Sequence, residues 1–248
     1  MINTNSIYWI NPEWNLYRLF EKLLEPIKRI VAVSRSGLVA SNRDYSFVHD
    51  GIIKTKGVAL EGYWTATGTG TAVSCAIVPK AVTNSYLMAC IELDGVTNTA
   101  GSINTPYIGT SAMASLTSIS PTFGTRILIA GLATAAGSTF TCSLPYSGTW
   151  RVIVYQFSGV NTTSSFAVAT PSSTTGTSLS ISLASYANSF IVDSIGANLT
   201  TTATSGQTVA YANCSGILHT DTSTTTTVSY STASSTQLSL CAVALNPA

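Results

Sequence analysis

Hydrophobic and polar positions divide the chain into two parts with different periodicities. After Asn11 the apolar residues recur every three to four positions, as on one face of a helix with 100° per residue. Asn11 suits the N-cap and Pro12 the first helical position, while Pro26 should kink or break the helix near Glu25. The pattern therefore predicts one amphipathic helix, within an N-terminal arm that covers residues 1–56.

The apolar face of this helix needs something to cover it. It could close an end or edge of the protein's own β domain, or it could dock on a neighbouring subunit, since amphipathicity alone does not name the partner. A membrane surface is the weaker option because the polar face mixes acidic with basic residues. The residues that we expect at an assembly interface are Trp14, Tyr17, Phe20, Leu24 and Ile27.

Beyond Gly57 the periodicity changes to that of β-strands. Short apolar or alternating runs such as "GTAVSCAIVPK", "RILIAGLA" and "WRVIVYQFSGV" are separated by Gly, Pro, Asn, Ser or Thr. The runs "SLSISL" and "TVSYST" alternate hydroxyl with apolar residues, as in strands that have one wet face. We expect a mainly β domain over residues 57–248, built as a two-sheet antiparallel β-sandwich with a jelly-roll-like connection.

The β region also contains two similar halves. "TGTGTAVS" (Thr67–Ser74) resembles "TGTSLSIS" (Thr175–Ser182), and each is followed by a strand that begins Asn-Ser-aromatic. Those strands, "NSYLMACI" (Asn84–Ile91) and "NSFIVDSI" (Asn188–Ile195), start 104 residues apart. The echo predicts equivalent strands in two halves of one fold.

Composition narrows the classes of function. Charged residues make up only 8% of the chain and the formal net charge is +1, which argues against a nucleic-acid partner or an anionic membrane surface. Eight of the eleven basic residues precede Gly57, whereas Ser and Thr make up over a third of residues 101–248. Hydroxyl groups or other subunits, rather than charges, are therefore expected to cover the β domain.

Residues that could perform chemistry are few. His219 lies near Asp221, which permits a hydrolase hypothesis, but no G-x-S-x-G motif accompanies the abundant serines. Glu92 and Asp94 could bind a cation at a strand end, yet two carboxylates are far fewer ligands than Ca²⁺ requires. The five cysteines lack metal-clip spacing, so we expect buried free thiols. We predict no catalytic residues, no metal site and no cofactor.

The start of the chain, "MINTNSIYWINPEWN", lacks a basic segment followed by an apolar one, so no secretory signal is predicted. No apolar run reaches the length that is needed to span a bilayer. The protein is therefore expected to be made and assembled in a cytosol.

Several stretches together resemble a known group of proteins. The segments are "NSYLMACIELDG", "GTWRVIVYQFSGVNTTSSF", "GTSLSISLASYANSFIVDSIGAN", "SGQTVAYAN" and the closing "LCAVALNPA". The shared motifs are Ser158–Asn161, Asn188–Val192, Gly206–Thr208 and Ala242–Ala248. This set is similar to Ser/Thr/Gly-rich β-sandwich virion structural proteins of tailed bacteriophages and prophages. The resemblance covers roughly residues 59–248. It implies a sandwich fold and a virion setting, and it brings no catalytic residues with it.

The first hypothesis is accordingly a non-enzymatic virion structural protein. It would be displayed as a capsid decoration or fibre-like protein and would attach through its N-terminal arm to other capsid or tail proteins, as a homo-oligomer. The alternative is a tail or baseplate adhesin that binds host surface glycans, with candidate contacts at Tyr107, Tyr146, Tyr211 and Asn213. A hydrolase or depolymerase that uses His219 is the third hypothesis.

Overall fold

Antiparallel β-strands make up most of the described part of the molecule. The computed structural model describes residues 44–47, 53–94, 101–122, 124–133, 137–163, 166–186, 188–197, 199–203, 208–211, 214–218 and 225–248. These residues contain no helix, which confirms the prediction of a mainly β protein. The predicted helix in residues 1–56 lies outside the described residues.

The described residues form sixteen strands. The strands are β1 (Asp44–Phe47), β2 (Ile53–Lys56), β3 (Ala59–Ala76), β4 (Tyr86–Leu93), β5 (Tyr107–Ile108), β6 (Ser111–Ala112), β7 (Ala114–Ile119), β8 (Arg126–Ala133), β9 (Thr139–Ser158), β10 (Ala167–Val168), β11 (Ser172–Ala184), β12 (Phe190–Ala197), β13 (Thr201–Ala203), β14 (Thr208–Tyr211), β15 (Cys214–Leu218) and β16 (Thr225–Leu245). β1 and β2 pair only with each other among the described strands.

Each half of the β region builds its own sheet. The first sheet has the order β6-β5-β9-β4-β8-β7, with β3 on the other side of β9. The second has the order β10-β16-β12-β15-β14, and β11 and β13 also pair with β16. No described strand passes from one half into the other half's sheet. The antiparallel sheets expected from the sequence are thus present, and the jelly-roll-like sandwich stays a prediction.

The two sheets repeat one arrangement. The order β7-β8-β4-β9-β3 in the first matches β14-β15-β12-β16-β11 in the second. The register matches as well. Tyr86 of β4 pairs with Ala133 on one side and with Phe157 on the other. Phe190, 104 positions later, has the equivalent pairing position in β12. Asn84 and Asn188, which precede β4 and β12, have positive φ angles of 49° and 65°. The sequence echo thus corresponds to a repeated turn and a repeated strand pairing.

The long strands curl over their own sheets. In the first sheet, Val73 of β3 and Phe140 of β9 share a hydrophobic cluster with Leu87 and Ile91 of β4. The register of β3 against β9 shifts between Gly70 and Ala72, and a bulge of this kind bends a strand. β11 against β16 shifts at the equivalent place, between residues 176 and 178, and its far half covers the second sheet in the same way.

The opposite faces of the two sheets share a central apolar layer. Met88 and Tyr155 from the first sheet and Val192 and Val243 from the second belong to one buried cluster. Every residue of β4 and of β12 is buried, because each strand has an apolar layer on both of its faces. The described β domain therefore has three apolar layers, one inside each curled sheet and one between the sheets.

Candidate functional site

The most strongly charged cluster lies where β4 and β9 run side by side. Glu92 is directly opposite Arg151 in the register, and its carboxylate is fully buried. The Arg151 guanidinium donates to Glu92 Oε2 at 3.0 Å and also binds the carboxylate of Asp94. Burial lowers the pKa of Arg151, but the charges of Asp94 and Glu92 outweigh burial, so its pKa is raised.

Two hydroxyl groups complete this cluster. Ser194 of β12 donates to Glu92 Oε1 at 2.8 Å, and Thr125 donates to Asp94 Oδ1 at 3.0 Å. The two carboxylates thus bind a guanidinium and two hydroxyl groups of the protein itself. Glu92 does not face water, because Arg151 of β9 and Ser194 of the second sheet both bind its buried carboxylate.

A second buried carboxylate lies inside the curled second sheet. Asp193 is fully buried in β12, and the phenol of Tyr230 donates to its Oδ1 at 2.5 Å. Asp193 occupies the position in β12 that Ala89 occupies in β4, with the same pairing to the long strand. The Tyr230–Asp193 bond replaces an apolar contact of the first sheet and satisfies a carboxylate that would be costly to bury without a partner.

Glu61 forms a third polar contact, near the start of β3. Ser158 donates to its Oε1 at 2.5 Å, and the Lys80 ammonium donates to its backbone carbonyl at 2.6 Å. The side chain of Gln156 in turn binds the backbone N–H and C=O of Lys80 at 2.8 and 2.7 Å. These contacts fasten the segment that follows β3 to β9. Each of the four carboxylates whose side chains the structure describes is therefore bound to other groups of the protein.

The thiols are buried and free, as the sequence predicts, at Cys75, Cys90, Cys142 and Cys241. Burial raises the pKa of Cys142 to about 11. Burial also raises the pKa of Cys241 to about 12, against the opposing effect of a hydrogen bond with Thr117. These raised pKa values leave almost no thiolate on Cys142 or Cys241 at neutral pH, so these two groups act as small apolar side chains and not as nucleophiles.

An open groove with a volume of about 800 Å³ lies on the second sheet. β11, β13 and β16 line it mainly with hydroxyl groups: Ser173, Ser178, Ser180, Thr202, Ser229 and Ser231. The phenol of Tyr230, another lining residue, is bound to Asp193. The groove can offer hydrogen bonds to a polar ligand or surface, and its described lining includes no carboxylate, imidazole, thiol or amine.

The candidate glycan residues lie on different sheets. Tyr107 is exposed on β5, beside Thr141 of β9. Tyr146, on β9, is half-buried with the Arg126 guanidinium 4.7 Å from its ring centre. Tyr211 ends β14 in the second sheet. The structure does not gather these three tyrosines on one sheet, and the glycan assignment stays a prediction.

The remaining predicted residues fall outside the described part of the chain. They are the five of the assembly interface, Trp14, Tyr17, Phe20, Leu24 and Ile27, together with Asn213, His219 and Asp221. Within the residues that the structure does describe, no three His, Cys, Asp or Glu side chains lie close enough to hold a metal ion.

A search of the described residues for a helix long and apolar enough to cross a membrane finds none. Comparisons with family models, with curated proteins and with solved structures give no match for this chain.

Proposed function

We propose that the chain is a non-enzymatic structural protein of a bacteriophage virion, displayed on the particle as a capsid decoration or fibre-like protein. The arm of residues 1–56 attaches it to capsid or tail proteins. The protein is made in the host cytoplasm and functions as a homo-oligomer. The two curled sheets would form the two layers of a sandwich, with each half of the chain supplying one layer.

The observation that carries this proposal is that the described carboxylates bind other side chains of the protein. The four described carboxylates bind Arg151, Ser158, Ser194, Thr125 or Tyr230, in contacts that join strands. Catalysis requires titratable groups that face a substrate, whereas these groups face one another. Three apolar layers and internal polar contacts favour a rigid display domain over a catalytic one.

The test is to purify particles from a host that makes this protein from a single gene, and to quantify the protein in the particles by mass spectrometry. We expect it in the particles at a fixed copy number. Removal of residues 1–56 should leave a folded β domain that is absent from the particles. Absence of the full chain from purified particles would overturn the proposal.

Matched substitutions separate attachment from folding. Phe20→Asp with Leu24→Asp changes the predicted apolar face of the helix and should abolish incorporation. Lys22→Asp changes the opposite face and should not. Equal incorporation of both variants would mean that the apolar face is not the anchor.

The alternative function is a tail or baseplate adhesin that binds host surface glycans. The observation in its favour is the groove lined by hydroxyl groups, since such groups can exchange hydrogen bonds with sugar hydroxyls. A glycan array probed with the full chain tests it. Ser231→Tyr should fill the groove and remove any binding, while Thr141→Tyr, exposed on β9, should leave binding unchanged.

A further inference from the structure

Strand β11 has a long edge to which no described strand pairs. One side of β11 pairs with β16 along its whole length, and the other side has no strand neighbour within the described residues. Over residues 178–184 its pattern alternates regularly: Ser178, Ser180 and Ser182 are exposed, and Leu179 and Ile181 are buried. An edge strand of this kind presents a row of backbone N–H and C=O groups to any strand that can approach.

This edge lacks the features that commonly prevent edge-to-edge pairing. Such features are charged side chains, proline, bulges and inward-pointing charges. Residues 178–184 contain no charge, proline or glycine, and their register against β16 is continuous.

The equivalent strand of the first sheet differs mainly at its start. β3 has register shifts between Leu60 and Gly62 and between Gly70 and Ala72, and at the first of them the Lys80 ammonium donates to the Glu61 carbonyl. β11 has only the second of these shifts, between residues 176 and 178. Beyond that shift the regular stretch has seven paired residues in β11 (178–184) and five in β3 (72–76). The longer regular edge favours β11 as the place where a further strand pairs.

We propose that a second copy of this chain pairs with β11 edge to edge, as an antiparallel two-fold dimer centred on Ile181. In this register Ser180 lies opposite Ser182 of the second copy, and Leu179 lies opposite Leu183.

A second copy fits this edge better than an unrelated strand. Antiparallel pairing about a two-fold axis keeps the outward face of both strands on the same side, so serine continues next to serine and leucine next to leucine. The pattern of residues 178–184 is nearly symmetric about Ile181, with serine on both sides of it and leucine beyond each serine. A neutral strand also meets no like charge when it meets itself.

The proposal specifies one contact of the homo-oligomer in the proposed function, but it does not depend on where the protein is located. Sedimentation velocity on the full chain, over a range of concentrations, is the test. The wild type should show a monomer–dimer equilibrium. Ser180→Lys with Ser182→Lys places like charges opposite each other twice across the two-fold axis, and should raise the dissociation constant at least about tenfold.

A charge-reversal mixture tests the register itself. Ser180→Glu with Ser182→Glu should also be monomeric alone, and should form a heterodimer when mixed with the lysine variant. The control is Thr65→Lys with Thr67→Lys on β3, which has the same spacing. It removes the hydrogen bond from Thr67 to the Trp150 carbonyl, just as the β11 variants remove the one between the Ser182 and Thr227 hydroxyl groups. It should dimerise as the wild type does. Circular dichroism verifies that every variant is folded.

Four results would overturn the proposal: a wild type that is monomeric at all concentrations, a lysine variant that dimerises normally, a control that is weakened equally, or a mixture that does not form the heterodimer. None of these results affects the particle test of the proposed function. A protein found in particles but monomeric in solution would refute only the β11 contact, and a dimer absent from particles would refute only the virion role.

Discussion

At the scale of single residues, the closest contact between β3 and β9 depends on a missing side chain. A Cβ atom on Gly68 would lie 2.5 Å from the ring of Trp150, which is buried. Trp150 belongs to the first apolar layer, and its ring can lie this close to β3 because Gly68 has no side chain. The sequence shows Gly68 merely as part of "TGTGTA", with nothing to indicate which indole ring it accommodates.

Gly68→Ala should therefore destabilise the protein by about 1–3 kcal/mol, since an extra methyl group in a packed site forces its neighbours to move. The matched control is Gly62→Ala on the same strand, where nothing lies within 4 Å of the added Cβ. It should change the free energy of unfolding by less than about 0.5 kcal/mol. Urea unfolding of the two variants measures both values, and equal effects would contradict the packing argument.

At the scale of elements, β4 and β12 are the strands on which the molecule is organised. Each is the central strand of its sheet and is buried on both faces. Their side chains alternate between an inner layer and the central layer, so nearly every position must be apolar or hydrogen-bonded. Glu92 and Ser194 are the polar exceptions that bond to each other across the central layer.

Ser194→Ala should destabilise the protein by about 1.5–3 kcal/mol, because the lost hydrogen bond is made to a buried carboxylate. A double-mutant cycle with Glu92→Leu, which removes the acceptor, should give a coupling energy above about 0.5 kcal/mol. Ser74→Ala, on the exposed face of β3, is the control and should have an effect within about 0.5 kcal/mol. A coupling energy near zero would mean that this bond does not help to hold the sheets together.

At the scale of the whole molecule, two similar curled sheets each enclose an apolar layer and share a third. The shared layer includes Tyr86, Phe157 and Phe190, with the rings of Phe157 and Phe190 4.8 Å apart. If one half unfolded alone, it would expose the apolar face of the other. The halves should therefore unfold together despite their separate strand pairing.

This cooperativity can be measured with intrinsic probes. The only tryptophans are Trp9, Trp14, Trp64 and Trp150, so the half formed by residues 167–245 has none. In a variant with Trp9→Phe and Trp14→Phe, fluorescence reports the first sheet and far-ultraviolet circular dichroism reports both. We expect coincident unfolding transitions. Two separated transitions would show that the central layer does not couple the halves.

What the sequence could predict follows from the local nature of β periodicity. Alternating hydroxyl and apolar residues identify β11 and β16, and Val228 and Tyr230 are buried as their pattern indicates. The turn at Asn84 and Asn188 and the strands after it were also visible as a repeated string. These features are predictable because a strand exposes alternate residues whatever it pairs with.

The polar contacts were not predictable from such patterns. Arg151 is 59 residues from Glu92 and Ser194 is 102 residues from it, and no spacing rule relates them. The contact of the Tyr146 ring with the Arg126 guanidinium, 20 residues away in the chain, was equally invisible in the sequence. Whether a polar side chain faces water or a partner depends on which strands become neighbours.

The sequence by itself determined that this is a β protein with few charges, abundant hydroxyl groups, buried thiols and a repeated strand motif. Tertiary structure alone decided that each half forms its own curled sheet, that Glu92 and Asp193 are buried, and that one edge of β11 has no strand neighbour among the described residues. The physical reason is that strand identity depends on neighbouring residues, whereas pairing and burial depend on contacts between residues far apart in the chain.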